Sequence, residues 1–581
     1  MPRVTGSRPA LEPAIFAPPL TRKASRQRRG IGISGSSSPA GWAQRLRDPF
    51  CIALVGAICS AAYVMGLRLY SDDWFFIEPL MLSRDQSWPG LYRALAETPF
   101  VGVRPVQILW YIAFHKLAPG QVTPAHLANH AVFAASSLVL YAALRATPET
   151  RRAAYYVAML YVCLPTFSVA KMWYANHQAV LGLLLFALTW LLTARIALTG
   201  SRVRWLLVPA AGIATAIGNL AYELFAVTAL ALPLFVWSAL GMRGRALASE
   251  RPFLAATAAI GAGFAATTLF KLTYDYGVEL PATLPAFVRS ATEMYATAAK
   301  TTFWTLGVYS PRAAVGILGG PYLQPGATLA PLAVLVVLVL REWLAGRTRA
   351  GGPEAGIAFV AASGLIAFVL GYVPYLANFL YSPKPWGEGN RGNIAAALGA
   401  ALLIYAAFRW LCDRQPLLAR TALIGFCTIG AFLQVAVGRT WVGAAAEQDR
   451  LFAQFERIAH DELEDRGAAL VYGTCPYFGA GPVFPYGWDL TARLRTESAF
   501  RHLRVDLVRP EMRIGADGLS TPRNRWGSKL FGYGALRIVD MGDGSMHAIG
   551  DAGDARRFFA ARPLERAITC PFDFGVGNPL Y

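Results

Sequence analysis

Residues 181–198 read Leu181-Gly-Leu-Leu-Leu-Phe-Ala-Leu-Thr-Trp-Leu-Leu-Thr-Ala-Arg-Ile-Ala-Leu198 and carry a single charge, at Arg195. A helix needs about 20 largely apolar residues to cross a bilayer, and comparable runs recur from Cys51 to Leu69 and from Ile394 onwards. The chain of 581 residues is 55% hydrophobic and only 15% charged, an apolar excess compared with soluble proteins. The sequence therefore predicts a polytopic α-helical membrane protein.

The length criterion predicts about eleven transmembrane helices. They lie near residues 50–69, 124–144, 153–171, 178–198, 203–221, 223–241, 253–272, 327–345, 355–376, 391–411 and 418–438. The stretch from Arg104 to Leu117 is apolar but short and contains His115 and Lys116. We predict that it forms a helix at the membrane interface rather than a span.

The formal net charge of +19 is concentrated in alternate connections between the predicted spans. Basic residues mark cytoplasmic loops, and these clusters are Arg22 to Arg29, Arg145/Arg151/Arg152, Arg202/Arg204, Arg243/Arg245/Arg251, Arg341/Arg347/Arg349 and Arg409/Arg420. An odd number of spans then places the N-terminus in the cytoplasm and the C-terminus outside. Orientation and anionic lipid account for the charge, so no nucleic-acid partner is predicted, and the predicted location is a bacterial cytoplasmic (inner) membrane.

Composition divides the chain into three parts. Residues 1–49 are predicted to be a disordered basic cytoplasmic tail, with no evident cleavable signal peptide and the first span as anchor. Residues 50–439 form the predicted transmembrane domain, whose outer loops are 70–123, 273–326 and 377–390. Residues 440–581 have soluble character and short strand-like runs such as Ala468 to Tyr472 and Leu536 to Val539, which predict a small periplasmic α/β or α+β domain.

Two cysteines fall in this C-terminal domain, while the other five lie in apolar runs. Cys475 and Cys570 are each followed by proline, and an oxidising periplasm would allow them to form a disulfide. Sequence alone does not settle the geometry, so the pair is a disulfide candidate.

Ser71-Asp72-Asp73-Trp74 follows the first predicted span and is the first candidate catalytic segment. Adjacent carboxylates are costly within a bilayer, so the pair marks the membrane exit. A carboxylate there can act as a general base on an acceptor hydroxyl, or the pair can hold a divalent cation such as Mg²⁺ or Mn²⁺. The structural alternative is a polar helix end.

Further polar residues lie at the same predicted outer face. Arg104-Pro105 closes the first outer loop, and His126-Leu-Ala-Asn129-His130 opens the next span, with its polar residues on one helical face. This arrangement resembles the integral-membrane glycosyltransferases of the GT-C fold, which include protein mannosyltransferases and lipid A aminoarabinose transferases. The resemblance covers residues 50–440 and rests on the order of these short motifs.

Members of this family, as the resemblance implies, move a sugar from a polyprenyl-phosphate carrier to an extracytoplasmic acceptor. An aspartate of the first outer loop usually serves as the base, and we transfer that role to Asp72 or Asp73. The implied partners are membrane lipid, the lipid-linked hexose or pentose donor and a periplasmic acceptor.

Several other polar residues fit donor binding. Lys171, Tyr174 and His177 lie in a tight outer turn, where the cation can neutralise the donor phosphate and aromatic faces can contact the sugar. The alternative is an interfacial aromatic belt with a snorkelling lysine. Glu223, between two apolar runs, either binds the acceptor, orients a cation or forms a helix–helix hydrogen bond.

The Pro/Gly-rich stretch from Tyr381 to Asn393 ends at a predicted helix start. Backbone amides there, together with Lys384 and Arg391, predict a phosphate site. The resemblance also associates basic residues of later outer loops with the lipid phosphate. Turn chemistry combined with interface anchoring is the alternative.

No Walker loop, paired Cys-x-x-Cys motif or dinucleotide fingerprint occurs in the expected context, so no soluble cofactor is predicted. Two other function classes remain open at this stage. A transporter or flippase for a lipid-linked saccharide would use the same polar cavity, and internal repeats would favour it. A non-catalytic scaffold for envelope assembly is the third possibility.

Overall fold

The fold was obtained as a computed structural model. It describes residues 39–98, 101–199, 202–241, 251–274, 281, 283–309, 325–345, 356–377, 383–412, 414–459, 463, 467–521, 529–568 and 570. The predicted N-terminal tail lies almost entirely outside these residues, as do parts of the second and third outer loops. The described residues from Arg47 onwards form one compact unit.

The membrane part is built from helices. In chain order they are α1 (Pro39–Ala61), α2 (Asp72–Leu82), α3 (Trp88–Ala96), α4 (Pro105–Leu117), α5 (Thr123–Ala146), α6 (Ala154–Cys163), α7 (Val169–Met172), α8 (His177–Leu198), α9 (Arg204–Ala221), α10 (Ala226–Gly241), α11 (Arg251–Leu272), α12 (Leu284–Ala299), α13 (Pro325–Ala345), α14 (Ile357–Tyr372), α15 (Ile394–Cys412) and α16 (Pro416–Ala459). A π-helical segment, Lys300–Tyr309, follows α12, and a 3₁₀ segment, Glu388–Asn393, precedes α15.

Within the described ranges, nine helical segments are long and apolar enough to cross a membrane. Each coincides with one of the eleven predicted spans. The other two predicted spans coincide with α6, which is short, and with α13. The chain is therefore a polytopic helical membrane protein, as predicted. The stretch from Arg104 to Leu117 forms α4, which has 13 residues.

Glycines let neighbouring helices approach closely. A Cβ atom at Gly399 of α15 would lie 2.5 Å from the carbonyl oxygen of Gly364 in α14. In the same way, a Cβ atom at Gly263 of α11 would lie 2.6 Å from the carbonyl oxygen of Gly212 in α9. Small residues at such crossings are a general device of membrane helices, because lipid supplies no hydrophobic drive for helix association.

The C-terminal domain follows α16 directly. That helix has 44 residues, or about 66 Å at 1.5 Å per residue, which is more than twice the hydrocarbon thickness of a bilayer of about 30 Å. The composition change near Thr440 thus falls inside one continuous helix. Glu447, Asp449 and Glu456 lie on the part of this helix that follows the change.

The domain contains a four-stranded mixed sheet in the order β4-β1-β8-β9. The strands are β1 (Ala468–Tyr472), β2 (Tyr477–Phe478), β3 (Gly481–Pro482), β4 (Arg504–Leu507), β5 (Arg513–Ile514), β6 (Gly518–Ser520), β7 (Leu530–Gly532), β8 (Leu536–Asp540) and β9 (Ser545–Ile549). β1 is parallel to β4 and β8, while β9 is antiparallel to β8. The helices α17 (Gly487–Glu497) and α18 (Ala552–Ala561) complete the small α/β domain, and both strand-like runs singled out in the sequence are strands.

Candidate active site

The candidate catalytic aspartates occupy the first turn of α2, where the helix dipole favours negative charge. The preceding residue, Ser71, is a non-glycine residue with a φ angle of 49°. Such a conformation costs on the order of 1–3 kcal/mol and persists where the surrounding structure enforces it, often at functional sites. Because consecutive residues of a helix point about 100° apart, the two carboxylates that follow Ser71 have different surroundings.

Asp73 is fully buried and bound to the backbone. Its Oδ2 accepts a hydrogen bond of 2.8 Å from the Tyr70 amide, and its Oδ1 accepts one of 2.5 Å from the Ala175 amide. Burial raises the pKa of this carboxyl well above its usual range, although the backbone hydrogen bonds oppose the shift. Asp73 thus fastens the first outer loop to the turn around Ala175.

Asp72 is half-buried and faces a different group of side chains. Its Oδ1 accepts a 3.2 Å hydrogen bond from the indole Nε1 of Trp488, in the C-terminal domain. Burial raises the pKa of the Asp72 carboxyl, and the positive charge of Arg391 opposes that rise. An acid with these surroundings can bind a proton closer to neutral pH than an ordinary aspartate, which suits a general base.

Around Asp72, the segment that precedes α15 and the C-terminal domain converge. The Tyr486 hydroxyl donates a 3.3 Å hydrogen bond to Oε2 of Glu388. Asp489 is fully buried, and its Oδ2 accepts a 3.1 Å hydrogen bond from the Tyr486 amide. Burial, together with the nearby charges of Asp72 and Glu388, raises the pKa of Asp489 well above its usual range. Asp72, Glu388 and Asp489 therefore lie near one another, and the charge of Arg391 acts on Asp72 and Glu388.

Arg391 and Lys384 lie on the predicted phosphate-binding stretch. The guanidinium of Arg391 lies 4.9 Å above the Trp173 ring, and burial lowers the pKa of the half-buried Lys384. Asn393 Nδ2 donates hydrogen bonds to the carbonyl oxygens of Thr166, at 2.7 Å, and Lys384, at 2.9 Å. These bonds fix the phosphate-binding stretch against the segment that contains Thr166. Arg391 is thus brought beside Asp72 by loop packing.

A second charged cluster joins Arg104, Glu223 and Lys271. Arg104 Nη2 lies 2.6 Å from Glu223 Oε1, and Lys271 Nζ lies 2.7 Å from Glu223 Oε2. The Arg104 guanidinium also lies 4.5 Å from the centre of the Tyr222 ring. These three side chains carry one positive charge in excess, which makes the cluster suited to an anionic group such as a phosphate.

The two clusters border each other through Tyr375. This tyrosine is buried, and it interacts electrostatically with both Arg391 and Glu223. Within the described residues, its hydroxyl makes no hydrogen bond. A polar group without a partner in such a position is suited to a ligand that reaches both clusters.

The remaining predicted site residues lie deeper in the bundle. Lys171 is 1% exposed, donates to Oε1 of Gln434, and has its ammonium 4.7 Å from the centre of the Phe133 ring. Tyr174 and His177 are also buried, with ring centroids 5.1 Å apart. The structure therefore holds these three residues between helices rather than beside Asp72.

The polar face of α5 also points into the bundle. His126 Nε2 lies 3.1 Å from the Arg68 carbonyl oxygen, so that this nitrogen donates. Asn129 Nδ2 donates to the Ala170 carbonyl oxygen at 3.2 Å, and His130 Nδ1 lies 2.9 Å from Ser60 Oγ. The three residues hold neighbouring segments together at the base of the site.

Both oxygens of Asp73 accept a backbone hydrogen bond, so a metal ion shared with Asp72 would have to bind Asp73 through the remaining lone pairs of these oxygens. In the part of the chain that the structure describes, no group of three or more His, Cys, Asp and Glu side chains is arranged to hold a metal.

Cys475 and Cys570, the disulfide candidates, are bonded to each other, with their Cα atoms 4.8 Å apart. This bond lies in the same domain that supplies Trp488.

Several residues of the site had no predicted role. Lys271 ends an apolar span, and a charge in that position is by itself a signal of function. Glu388 lies in the predicted phosphate-binding stretch, but as an acidic residue it did not fit that interpretation. The sequence also contains a short aromatic and acidic motif to which no role was assigned, formed by Tyr486, Trp488 and Asp489.

No protein-family model matches the chain, and no curated protein matches it. Among solved structures, the chain is similar to one titled "Crystal Structure of ArnT from Cupriavidus metallidurans in the apo state". The two share 13% sequence identity, the alignment covers 74% of this chain and 82% of that one, and the TM-score is 0.31.

Proposed function

We propose that the protein is a membrane glycosyltransferase of the GT-C type that moves a sugar from a polyprenyl-phosphate carrier to an extracytoplasmic acceptor. The observation that carries the proposal is the setting of Asp72. This carboxylate is half-buried at the start of the first outer loop, near the cation Arg391 and a partly exposed aromatic pair, Tyr486 and Trp488. A base, a cation and aromatic faces are what sugar transfer from a phosphate requires.

In the proposed reaction, Asp72 accepts the proton of an acceptor hydroxyl as the oxygen attacks the anomeric carbon of the sugar. The bond between that carbon and the phosphate oxygen breaks, and the lipid phosphate leaves with the electron pair. Negative charge develops on this leaving phosphate, so nearby cations stabilise the transition state. No metal ion is needed to balance these steps.

Two groups of cations are available for the phosphate. The charge of Arg391 acts on Asp72, and Arg104 and Lys271 both pair with Glu223. Because Tyr375 interacts with both Arg391 and Glu223, a phosphate bound next to it would be close to both groups. We assign Arg104, Lys271 and Arg391 to the donor phosphate, and Lys384 to its entrance.

The same proposal fixes the orientation of the protein. The N-terminus would lie in the cytoplasm, while the C-terminal domain and the Asp72 site would lie on the periplasmic side of a bacterial inner membrane. The basic loops support this orientation by the positive-inside rule. Membrane lipid carries the donor, and the acceptor is an envelope glycan, lipid or protein.

The test is transfer of radiolabelled sugar from a panel of polyprenyl-phosphate sugars to a membrane extract. The purified wild type should transfer from at least one donor, and Asp72→Asn should lower the rate about 100-fold or more, the usual contribution of a general base. Asp85→Asn is the matched control, because Asp85 belongs to the same loop and its side chain is 51% exposed.

Equal rates for Asp72→Asn and the wild type would refute the role of Asp72. A folded wild type that transfers from none of the donors would contradict the glycosyltransferase proposal itself. Flipping of a fluorescent lipid-linked saccharide in proteoliposomes by that inactive protein would then favour a transporter.

A further inference from the structure

The helix α17 of the C-terminal domain lies directly on α2 of the first outer loop. Arg495 Nη1 lies 3.1 Å from Glu78 Oε1, and the guanidinium of Arg493 lies 5.0 Å from the centre of the Trp74 ring. These contacts join the domain to the first outer loop. Asp72 begins the same α2 helix, so the docked domain also reaches the catalytic end of the loop.

The turn that opens α17 has a fixed shape. Tyr486 and Asp489 form a capping box, in which the Asp489 carboxylate accepts from the Tyr486 amide. Gly487 lies so close to Asp506 that a Cβ atom would approach the carboxyl carbon to 2.3 Å. The turn therefore needs glycine at this position, and the rings on either side of it are held in place.

Those two rings are stacked. The centroids of Tyr486 and Trp488 are 4.3 Å apart, and the ring planes differ by only 9°. Stacking directs the indole edge toward Asp72, where Nε1 donates to Oδ1 at 3.2 Å. The N–H group of a partly buried tryptophan usually finds an acceptor, and here the acceptor is the carboxylate to which we assign the proton transfer.

We propose that the C-terminal domain completes the active site and that Trp488 is a positioning residue, which orients the Asp72 carboxylate through its indole N–H. This inference rests on the proposed function for what Asp72 does once it is oriented. One oxygen of Asp72 binds the indole, and the other stays available to accept the proton of the acceptor. Without this bond, the carboxylate can rotate among rotamers that direct it away from the site.

Trp488→Phe keeps an aromatic ring in the stack and removes only the donor. A hydrogen bond to a charged group is worth roughly tenfold or more in an equilibrium or a rate, so kcat should fall at least about tenfold, with the KM for the lipid-linked donor unchanged. In the Asp72→Asn background, the same change should cause no further loss, because the two residues act as a unit.

Two controls separate positioning from docking. Arg495→Ala removes a contact between α17 and α2 away from Asp72, and Trp205→Phe changes an indole that is 49% exposed on α9. Both should leave kcat within about twofold of the wild type. Equal losses of kcat in Arg495→Ala and Trp488→Phe would mean that docking alone matters and would overturn the inference.

A second readout does not depend on transfer. Carbodiimide with an amine nucleophile labels carboxyl groups, and mass spectrometry can follow the label at Asp72 at one fixed pH. Labelling of Asp72 should be several-fold faster in Trp488→Phe than in the wild type, while Asp73, buried and bonded through both oxygens, stays unlabelled. An unchanged labelling rate overturns the inference, whether or not transfer is detected.

The two proposals can fail separately. If Asp72 is labelled faster in Trp488→Phe but the wild type transfers no sugar, the positioning role of Trp488 stands. Only the proposed glycosyltransferase activity would then be refuted. If Trp488→Phe does not fold, 3-benzothienylalanine can be placed at position 488. It keeps the bicyclic ring and replaces the N–H by sulfur, so the same outcomes are expected.

Discussion

Asp72 and Asp73 are adjacent in the chain, yet only Asp72 faces the site, with Oδ1 3.2 Å from Trp488 Nε1, while both oxygens of Asp73 bind backbone amides. Two residues of the same type thus have separate tasks, one in the proposed chemistry and one in holding the loop. Consecutive residues of a helix point about 100° apart, so the two carboxylates reach different partners.

Asparagine substitution should distinguish these tasks. Asp73→Asn replaces an acceptor oxygen by an amide donor that faces a backbone N–H group, so it should lower the free energy of unfolding by roughly 3 kcal/mol. Asp72→Asn should leave thermal stability within about 1 kcal/mol of the wild type and lower the transfer rate about 100-fold or more. Thermal melting in detergent measures the first effect, and initial transfer rates measure the second. Lower stability in Asp72→Asn than in Asp73→Asn would contradict the division.

The pH dependence of transfer should report the charge of Arg391. Burial raises the pKa of Asp72 above its usual value, and Arg391 lowers it. A base acts only when deprotonated, so the rate should rise with pH through this pKa. Arg391→Gln removes the opposing charge, the pKa should rise further, and the acid limb of the kcat profile should move to higher pH. Arg391→Lys keeps the charge and should leave the limb nearly in place. A limb that moves to lower pH in Arg391→Gln would show that another group is titrating.

The transmembrane helices were predictable because each depends on local composition. The predicted spans coincide with helices, and the strands β1 and β8 begin where the sequence indicates. The pairing of Arg104 with Glu223 was harder to predict from the sequence, because the two residues are 119 positions apart. The sequence made Arg104 a candidate site residue as a charge in a loop and Glu223 as a charge between two apolar runs. It did not indicate that the two side chains form a pair.

The contribution of the C-terminal domain could not be predicted. Trp488 and Asp72 are 416 residues apart, and their contact depends on how α17 packs on α2. Sequence also could not choose between Asp72 and Asp73, since both occupy one helical turn and differ in partners that are distant in the chain, Ala175 for Asp73 and Trp488 for Asp72. For Lys171, the outer turn was predicted, but the direction of its side chain is set by Gln434 of α16.

Lys171 provides a test of whether a buried lysine binds the donor or supports the bundle. Its ammonium donates to Gln434 between α7 and α16 and lies over the Phe133 ring. Lys171→Met keeps most of the side-chain volume, removes this bond and leaves the Gln434 oxygen without its lysine donor. We expect thermal stability to fall, with the KM for the donor within about twofold of the wild type. Arg391→Gln should instead raise that KM. A large increase of KM in Lys171→Met at unchanged stability would favour the donor-phosphate role that the sequence suggested.

The disulfide between Cys475 and Cys570 should matter for activity as well as for stability. The two cysteines are 95 residues apart, and the segment between them contains Trp488. In the chain-entropy account, closing a loop of this length stabilises the folded state by up to about 4–5 kcal/mol. The Cys475→Ser/Cys570→Ser variant should therefore melt at a lower temperature than the wild type.

Transfer should disappear with the melting of this domain, because α17 would no longer hold Trp488 against Asp72. Melting and transfer are measured over a range of temperatures, with and without a reductant. The reductant should lower both transitions in the wild type and neither in the variant, which makes the variant its own control. If melting of the C-terminal domain left transfer intact, the domain would be only a cap, and the active site would belong to the membrane bundle alone.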